Sequence, residues 1–242
     1  MAILLVVALV GSVVATVGHR AAVDPHGPHA FLEQLPDGTP YRWDPCRPIH
    51  YVVNPANEPA GAGPVIREAI QRVADATGIR FVDDGTTIET ADQQIGTVFQ
   101  TNMPDEPRWL PVLIAFVPRD HFDFLADTRK ALAFGEPHRG EGDEAHTYVS
   151  GLVVIDASEE LPVGFTSRFS LGPVLMHELG HVMGLGHVSA GDELMWSPNV
   201  AGHDRLPDLS QTDWGPGDLE GLRLVGRSAG CGPVPLIVAA SP

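Results

Sequence analysis

The chain has 242 residues, with 15 Lys and Arg against 31 Asp and Glu, for a formal charge of -16. A hydrophobic share of 43% is ordinary for a globular core, and the length suits one large domain plus processing segments. The acidic excess is spread along the chain and argues against nucleic acid and anionic membrane surfaces as partners, because both demand the opposite sign.

Residues 2–17, AILLVVALVGSVVATV, carry no charge, and Gly18, His19 and Arg20 follow. The run is long for the apolar part of a signal peptide and slightly short for a spanning helix. Ala15 and Gly18 offer small residues for a cleavage site, so an export signal over 1–18 is the expectation, with a retained membrane anchor through 2–17 as the alternative. Either reading leaves the rest of the chain secreted or on the extracellular face of the membrane. Residues 19–45 carry Pro25, Pro28, Pro36, Pro40 and Pro45 without sustained periodicity and read as a linker or short pro-segment.

IHYVVNP at 49–55 reads as a strand ended by Asn54-Pro55. GPVIREAIQRVADATG at 63–78 reads as a helix: Pro64 lies near its start, Ile66, Ala69, Ile70, Val73 and Thr77 recur at helical spacing, and Gly78 stops it. IRFVDDG at 79–85 is a second strand, and strand, helix and strand within about 35 residues predict a βαβ unit with a parallel pair. PVLIAFVP at 111–118 has the continuous apolar character of a strand buried on both faces. Residues 119–146 read as loop, including the charged stretch HRGEGDEAH at 138–146. TYVSGLVVIDAS at 147–158 supplies one or two strands with Gly151 between them. A helix follows from Ser170 as N-cap, with Pro173 tolerated in its first turn. After a long irregular stretch, PGDLEGLRLV at 216–225 predicts a last helix. The folded domain is expected over 46–232, with 233–242 as a tail.

The helix beginning near Ser170 runs into HELGHVMGLGH, residues 177–187. His177 and His181 are four apart and project from one helical face, so two imidazoles can reach one Zn²⁺ at about 2.0–2.1 Å, and Glu178 can reach a metal-bound water. His187 cannot join them if the helix continues, because six further residues rotate it by roughly 240° to another face. The helix must therefore break. Gly184 is the residue able to take the positive φ that ends a helix and turns the chain back. Gly186 allows close backbone approach beside the site, and Gly180 allows another element to pack tightly on the helix. The full pattern His-Glu-x-x-His-x-x-Gly-x-x-His arises by chance roughly once in 10⁴ sequences of this composition, which favours a device over a coincidence.

At these residues the chain resembles the metzincin metallopeptidases, whose signature is this extended zinc motif followed by a methionine turn. Met195, in Leu194-Met195-Trp196, stands where that turn is expected, and the resemblance implies that it floors the three imidazoles. Within the clan the element order and the short segment from motif to Met195 look most like matrixins, and Asp218-Leu219-Glu220-Gly221-Leu222 resembles the start of their final helix, where an Asp braces the Met turn. Val188 stands where matrixins usually have Ser, and Met195-Trp196-Ser197 lacks the Tyr ligand of astacins and serralysins. The implied fold is α+β and zincin-like, a mixed, mostly parallel twisted sheet of about five strands with an active-site helix and two further helices. The implied chemistry is zinc-dependent endopeptidase action on polypeptides, by a zinc-bound water activated by Glu178. The resemblance and Gly151 further suggest that 147–152 presents a free strand edge to an extended substrate.

Cys46 and Cys231 are the only cysteines. In an exported chain an even pair suggests a disulfide. The competing reading, a zinc-blocking Cys46 in a matrixin-like pro-segment, is weakened by its position three residues before the first strand. His138, Glu141, Asp143, Glu144 and His146 crowd one loop, where matrixins hold further metal; Ca²⁺ or a second Zn²⁺ is one reading and a solvated acidic loop the preferred one. The chain is expected to act as a monomer. A non-catalytic, zinc-stabilised binding module at the cell surface is the rival function, and the motif alone does not exclude a zinc hydrolase of something other than peptides.

Overall fold

The computed structural model of the chain describes residues 28–94, 99–100, 108–127, 131–140, 145–200 and 206–232. The expected signal or anchor at 1–18 and the expected tail at 233–242 lie outside the described residues. A two-residue strand β1 (Arg42–Trp43) leads to β2 (Ile49–Asn54), helix α1 (Ala62–Thr77) and β3 (Phe81–Thr86). The apolar positions predicted for α1, with Val65, are buried on one face, and its Pro64 sits in the first turn, where a missing N–H costs nothing. Gly78 ends it at φ 70°, its N–H bonded to Ala74 O at 2.8 Å. β2 and β3 pair in parallel, as the strand-helix-strand reading requires.

The chain continues through a short helix α2 (Ala91–Gln94), a two-stranded antiparallel pair, β4 (Phe99–Gln100) with β5 (Arg108–Trp109), and β6 (Val112–Val117). Five of the six β6 side chains are buried, in agreement with its unbroken apolar run. Then come a 3₁₀ turn at Arg119–His121, a short helix α3 (Asp123–Asp127), β7 (Ala133–Arg139) and β8 (Thr147–Asp156). Helices α4 (Leu171–Val182) and α5 (Pro216–Val225) follow, and a 3₁₀ turn at Arg227–Ala229 closes the order. The main sheet has six strands in the order β1-β8-β6-β2-β3, with β7 on the other side of β8. Every pairing in it is parallel except β7 with β8. The fold is α+β with a mostly parallel sheet, one short strand more than expected.

Two local expectations are corrected and one open alternative is resolved. Residues 119–146 are not simply loop, because AFGEPHR forms β7; its Gly135 and Pro137 read as breakers, yet an outer strand tolerates a residue without an N–H. Of the one or two strands expected at 147–158, residues 147–156 form one, with Gly151 opposite Pro137 in register. Finally, 147–152 is no free edge: β7 covers one side of β8, while β1 and β6 pair with it elsewhere. Among the described residues, the open edge on that flank belongs to β7.

Helix α4 packs on α1, β7 and β8, and its side chains from Leu171 to Met176 are buried. This apolar setting fixes the rigid platform from which the histidines project. A Cys46–Cys231 disulfide ties the start of β2 to the chain beyond α5, with Cα atoms 5.3 Å apart, so Cys46 is no free thiol.

Candidate metal centre

His177 and His181 stand on α4, between its N-cap Ser170 and its C-cap Met183. The end is a complete Schellman turn: Gly184 has φ 103°, its N–H bonds His181 O at 2.8 Å, and the Leu185 N–H bonds Gly180 O at 2.9 Å. The reversal brings His187 back over the helix, and its Nε2 stands 3.1 Å from the Nε2 of both His177 and His181. Val188 holds the returning chain in place, accepting from Ser197 N–H and donating to Met195 O, both at 3.0 Å. The break foreseen at Gly184 is therefore the step that brings the three rings together.

Two backbone carbonyls set the tautomers. His177 Nδ1 lies 2.7 Å from Leu194 O and His181 Nδ1 lies 2.8 Å from Leu185 O. A carbonyl oxygen only accepts, so each Nδ1 carries the hydrogen and each Nε2 presents a lone pair. Both lone pairs converge on His187 Nε2, which has at most one hydrogen to give. A shared cation satisfies all three nitrogens at once, and the 3.1 Å spacings suit zinc–imidazole bonds of about 2.0–2.1 Å. Burial, then the neighbouring imidazoles, pulls His177 well below its ordinary pKa; burial and His187 bring His181 to about 4, and burial lowers His187. Neutral rings are what a metal needs.

Glu178 is 8% exposed, and burial pushes its carboxyl up to about 8. A dication at the imidazole nitrogens acts in the opposite sense. Behind it lies β7: a Cβ on Gly135 would come within 2.5 Å of the Glu178 carbonyl oxygen, so only glycine lets the strand approach this closely. Met195 lies beneath the helix, where a Cβ on Gly180 would meet its Sδ at 2.5 Å. The tight packing expected at Gly180 is thus packing by the methionine itself. Asp218 accepts from Leu194 N–H at 2.5 Å, Met195 N–H at 3.3 Å and Gly215 N–H at 3.0 Å, the bracing expected of it. Burial, then the charge of Glu193, raises the Asp218 carboxyl to about 7.

Several contributors escape a reading of the motif. Glu193 is buried and accepts from Gly217 and Asp218 N–H, both at 2.9 Å. Arg168, also buried, donates to carbonyls of the 191–194 loop. Residues 28–45, expected as linker or pro-segment, lie against the site. Gly186 N–H bonds Ala30 O at 2.8 Å, Leu32 N–H bonds Gly184 O at 2.9 Å, and Trp43 Nε1 donates to Val182 O at 2.7 Å. Gly186 serves this contact, since a Cβ there would meet Phe31 backbone at 3.3 Å. Glycines inside an otherwise apolar strand or turn were the available signal; proline-rich polar sequence concealed the rest.

Among the described residues, His177, His181 and His187 form the one cluster of three or more potential ligands. His138 Nε2 lies 3.3 Å from Glu136 Oε1, and His146 Nδ1 lies 2.8 Å from the Tyr41 hydroxyl. Glu141, Asp143 and Glu144 lie outside the described residues. Two surface grooves, one flanking α1 and one around Asn57 and Leu161, contain no triad residue. Imidazole geometry, rather than cavity shape, marks the site.

The parallel sheet, the histidine triad on a broken helix and the methionine beneath it are the arrangement that the resemblance to metzincins implies. Residues 112–215 match the family model described as Matrixin. Two metalloendoproteinases of Arabidopsis thaliana, 5-MMP and 2-MMP, are each 32% identical to the chain, over 117 and 113 residues. Those stretches cover 42% of this chain in both cases, and 29% and 27% of the relatives. The chain thus spans under a third of the length of the curated relatives it matches. Over 112–215 the chain is similar to matrixins.

Proposed function

We propose that the protein is a zinc-dependent endopeptidase that hydrolyses peptide bonds of extracellular or cell-surface proteins. The observation that carries this is the convergence of three neutral imidazole Nε2 atoms at a helix that also carries the buried Glu178. His177, His181 and His187 would hold one zinc ion per chain. When bound, the metal supplies Lewis acidity and makes water nucleophilic near neutral pH. Glu178 would take a proton from the attacking water and deliver it to the leaving amine, a role that starts from the ionised carboxylate, which a dication at the imidazoles favours against the effect of burial. The substrate is taken to lie extended along the open edge of β7, which supplies backbone hydrogen bonds without choosing side chains. Trp196, Ser197 and Pro198 follow Met195 and would wall one subsite.

The catalytic unit is inferred to run from about residue 28 to 232, because residues 30–43 bond directly to the turn that delivers His187. Export is supported by the disulfide, which persists in oxidising compartments, and by the apolar run at 2–17. Among the described residues no helix is long and apolar enough to cross a membrane.

The decisive experiment compares wild-type protein with Glu178→Ala on casein or an unfolded chain. The variant should bind one zinc per chain and lose activity by about 10²–10⁴-fold. Chelation should abolish wild-type cleavage and zinc restore it. Zinc binding without any cleavage by the wild type would favour the binding-module reading; full cleavage by Glu178→Ala would remove the glutamate from the mechanism.

A further inference from the structure

Arg168 lies in the loop that leads into α4, is 5% exposed, and plays no part in the chemistry above. Its guanidinium crosses to the Met195 loop. Nη1 donates to Gly191 O at 3.3 Å, and Nη2 donates to Glu193 O and, at 3.1 Å, to Leu194 O. Leu194 O is also the acceptor for His177 Nδ1, at 2.7 Å. The N–H of the same residue is held by Asp218. Leu194 is therefore fixed at its nitrogen by a buried carboxylate and at its oxygen by a buried cation, and the oxygen in turn orients a ring of the triad. Burying a cation is costly, and here the planar fork offsets that cost by reaching three carbonyls, which a single ammonium group does not match. The charges of Asp218, Asp208 and Glu193 favour it further.

We propose that Arg168 is a positioning residue of the metal site: by fixing the Leu194 carbonyl it fixes the His177 ring, and with it the direction of the Nε2 lone pair. The inference rests on reading the triad as zinc ligands, but the relay from Arg168 to His177 exists in the protein alone. His181 is an internal control, because its Nδ1 is held by Leu185 O inside the Schellman turn.

The test uses the full chain with Arg168→Met and Arg168→Lys. In zinc-free protein, the His177 Nδ1–H proton signal should shift or be lost to solvent exchange in Arg168→Met, while the His181 signal stays. Zinc affinity, measured by competition with a chromophoric chelator, should fall about tenfold, the lower end for residues that orient metal ligands, with Arg168→Lys recovering part of the loss. If Arg168→Met does not fold, Arg168→Lys decides alone, with the same selective change at His177 and weaker zinc binding expected. An unchanged His177 signal and unchanged zinc affinity in a folded variant would overturn the proposal, even with a lowered melting temperature. Equal loss of both histidine signals would overturn it too, since that marks general loosening. A wild-type chain that binds no zinc, yet shows the selective His177 change on substitution, would sink the metal reading and leave the relay standing.

Discussion

Gly184 holds φ 103°, and a Cβ there would stand 2.9 Å from Tyr148 Cε2 and 3.2 Å from Tyr41 O. Two penalties coincide. An L-residue in the left-handed region costs roughly 1–2 kcal/mol, more for a β-branched side chain, and the Tyr148 ring is boxed into the core. Gly184→Val is therefore expected to displace His187 while His177 and His181 remain on an intact helix. Zinc affinity should drop at least a hundredfold in a chelator competition, with little change in helical circular dichroism; retained affinity would mean that His187 reaches the metal without this turn. Gly180→Ala differs, because its added methyl meets the Met195 thioether, the far end of a flexible side chain. A loss of about 1–3 kcal/mol in unfolding free energy is expected, as for ordinary overpacking, with zinc still bound.

Among the elements, β7 and α4 form the pair on which a substrate strand would depend. Gly135 brings the β7 backbone against the Glu178 carbonyl, and backbone gives way less readily than a side-chain tip. Gly135→Ala should push β7 away from the helix and lower kcat/KM at least tenfold. Zinc content should remain that of the wild type, since no triad residue lies on β7; a variant that loses zinc in step with activity would place the damage elsewhere. The end of α4 depends likewise on β1. Trp43→Phe removes the Nε1–H that satisfies Val182 O, at a cost of about 1 kcal/mol read as a lower denaturation midpoint.

At the scale of the whole molecule, the two ends of the described fold are joined. Arg42 Nη1 donates to Gly230 O at 2.9 Å, Asp44 Oδ1 accepts from Gly232 N–H at 3.1 Å, and Cys46–Cys231 closes a loop with a sequence separation of 185. Residues 28–45 consequently link the disulfide to the turn that presents His187. Replacing both cysteines by serine should lower unfolding stability by about 2–5 kcal/mol, measured by chemical denaturation of the zinc-loaded protein. Zinc should still bind at moderate temperature, because the ligands sit on α4 and its own turn; loss of zinc without unfolding would show that the disulfide bears on the metal centre directly.

How far the sequence reaches can be followed along particular residues. Periodicity fixes α1, β2, β6 and the last helix nearly to the residue, because their local pattern and their burial agree, whereas β3 has no buried residue and its start lies two residues past the expected one. The spacing from His177 to His187 implies a helix that must break, and Gly184 supplies the break. β7 was hidden, because Gly135 and Pro137 weaken any local preference for a strand, and only β8 and the backbone of α4 make that strand favourable. Arg168, Glu193 and the stretch 28–45 were hidden for a related reason: their partners lie far along the chain, so nothing nearby marks them. The sequence by itself determined the three histidines, the glutamate and the turn that unites them, since all belong to one short segment under local helical geometry. Tertiary structure alone decided what holds His177 in its orientation and which strand offers a free edge, because hydrogen bonds between distant segments, absent from any local pattern, settle both.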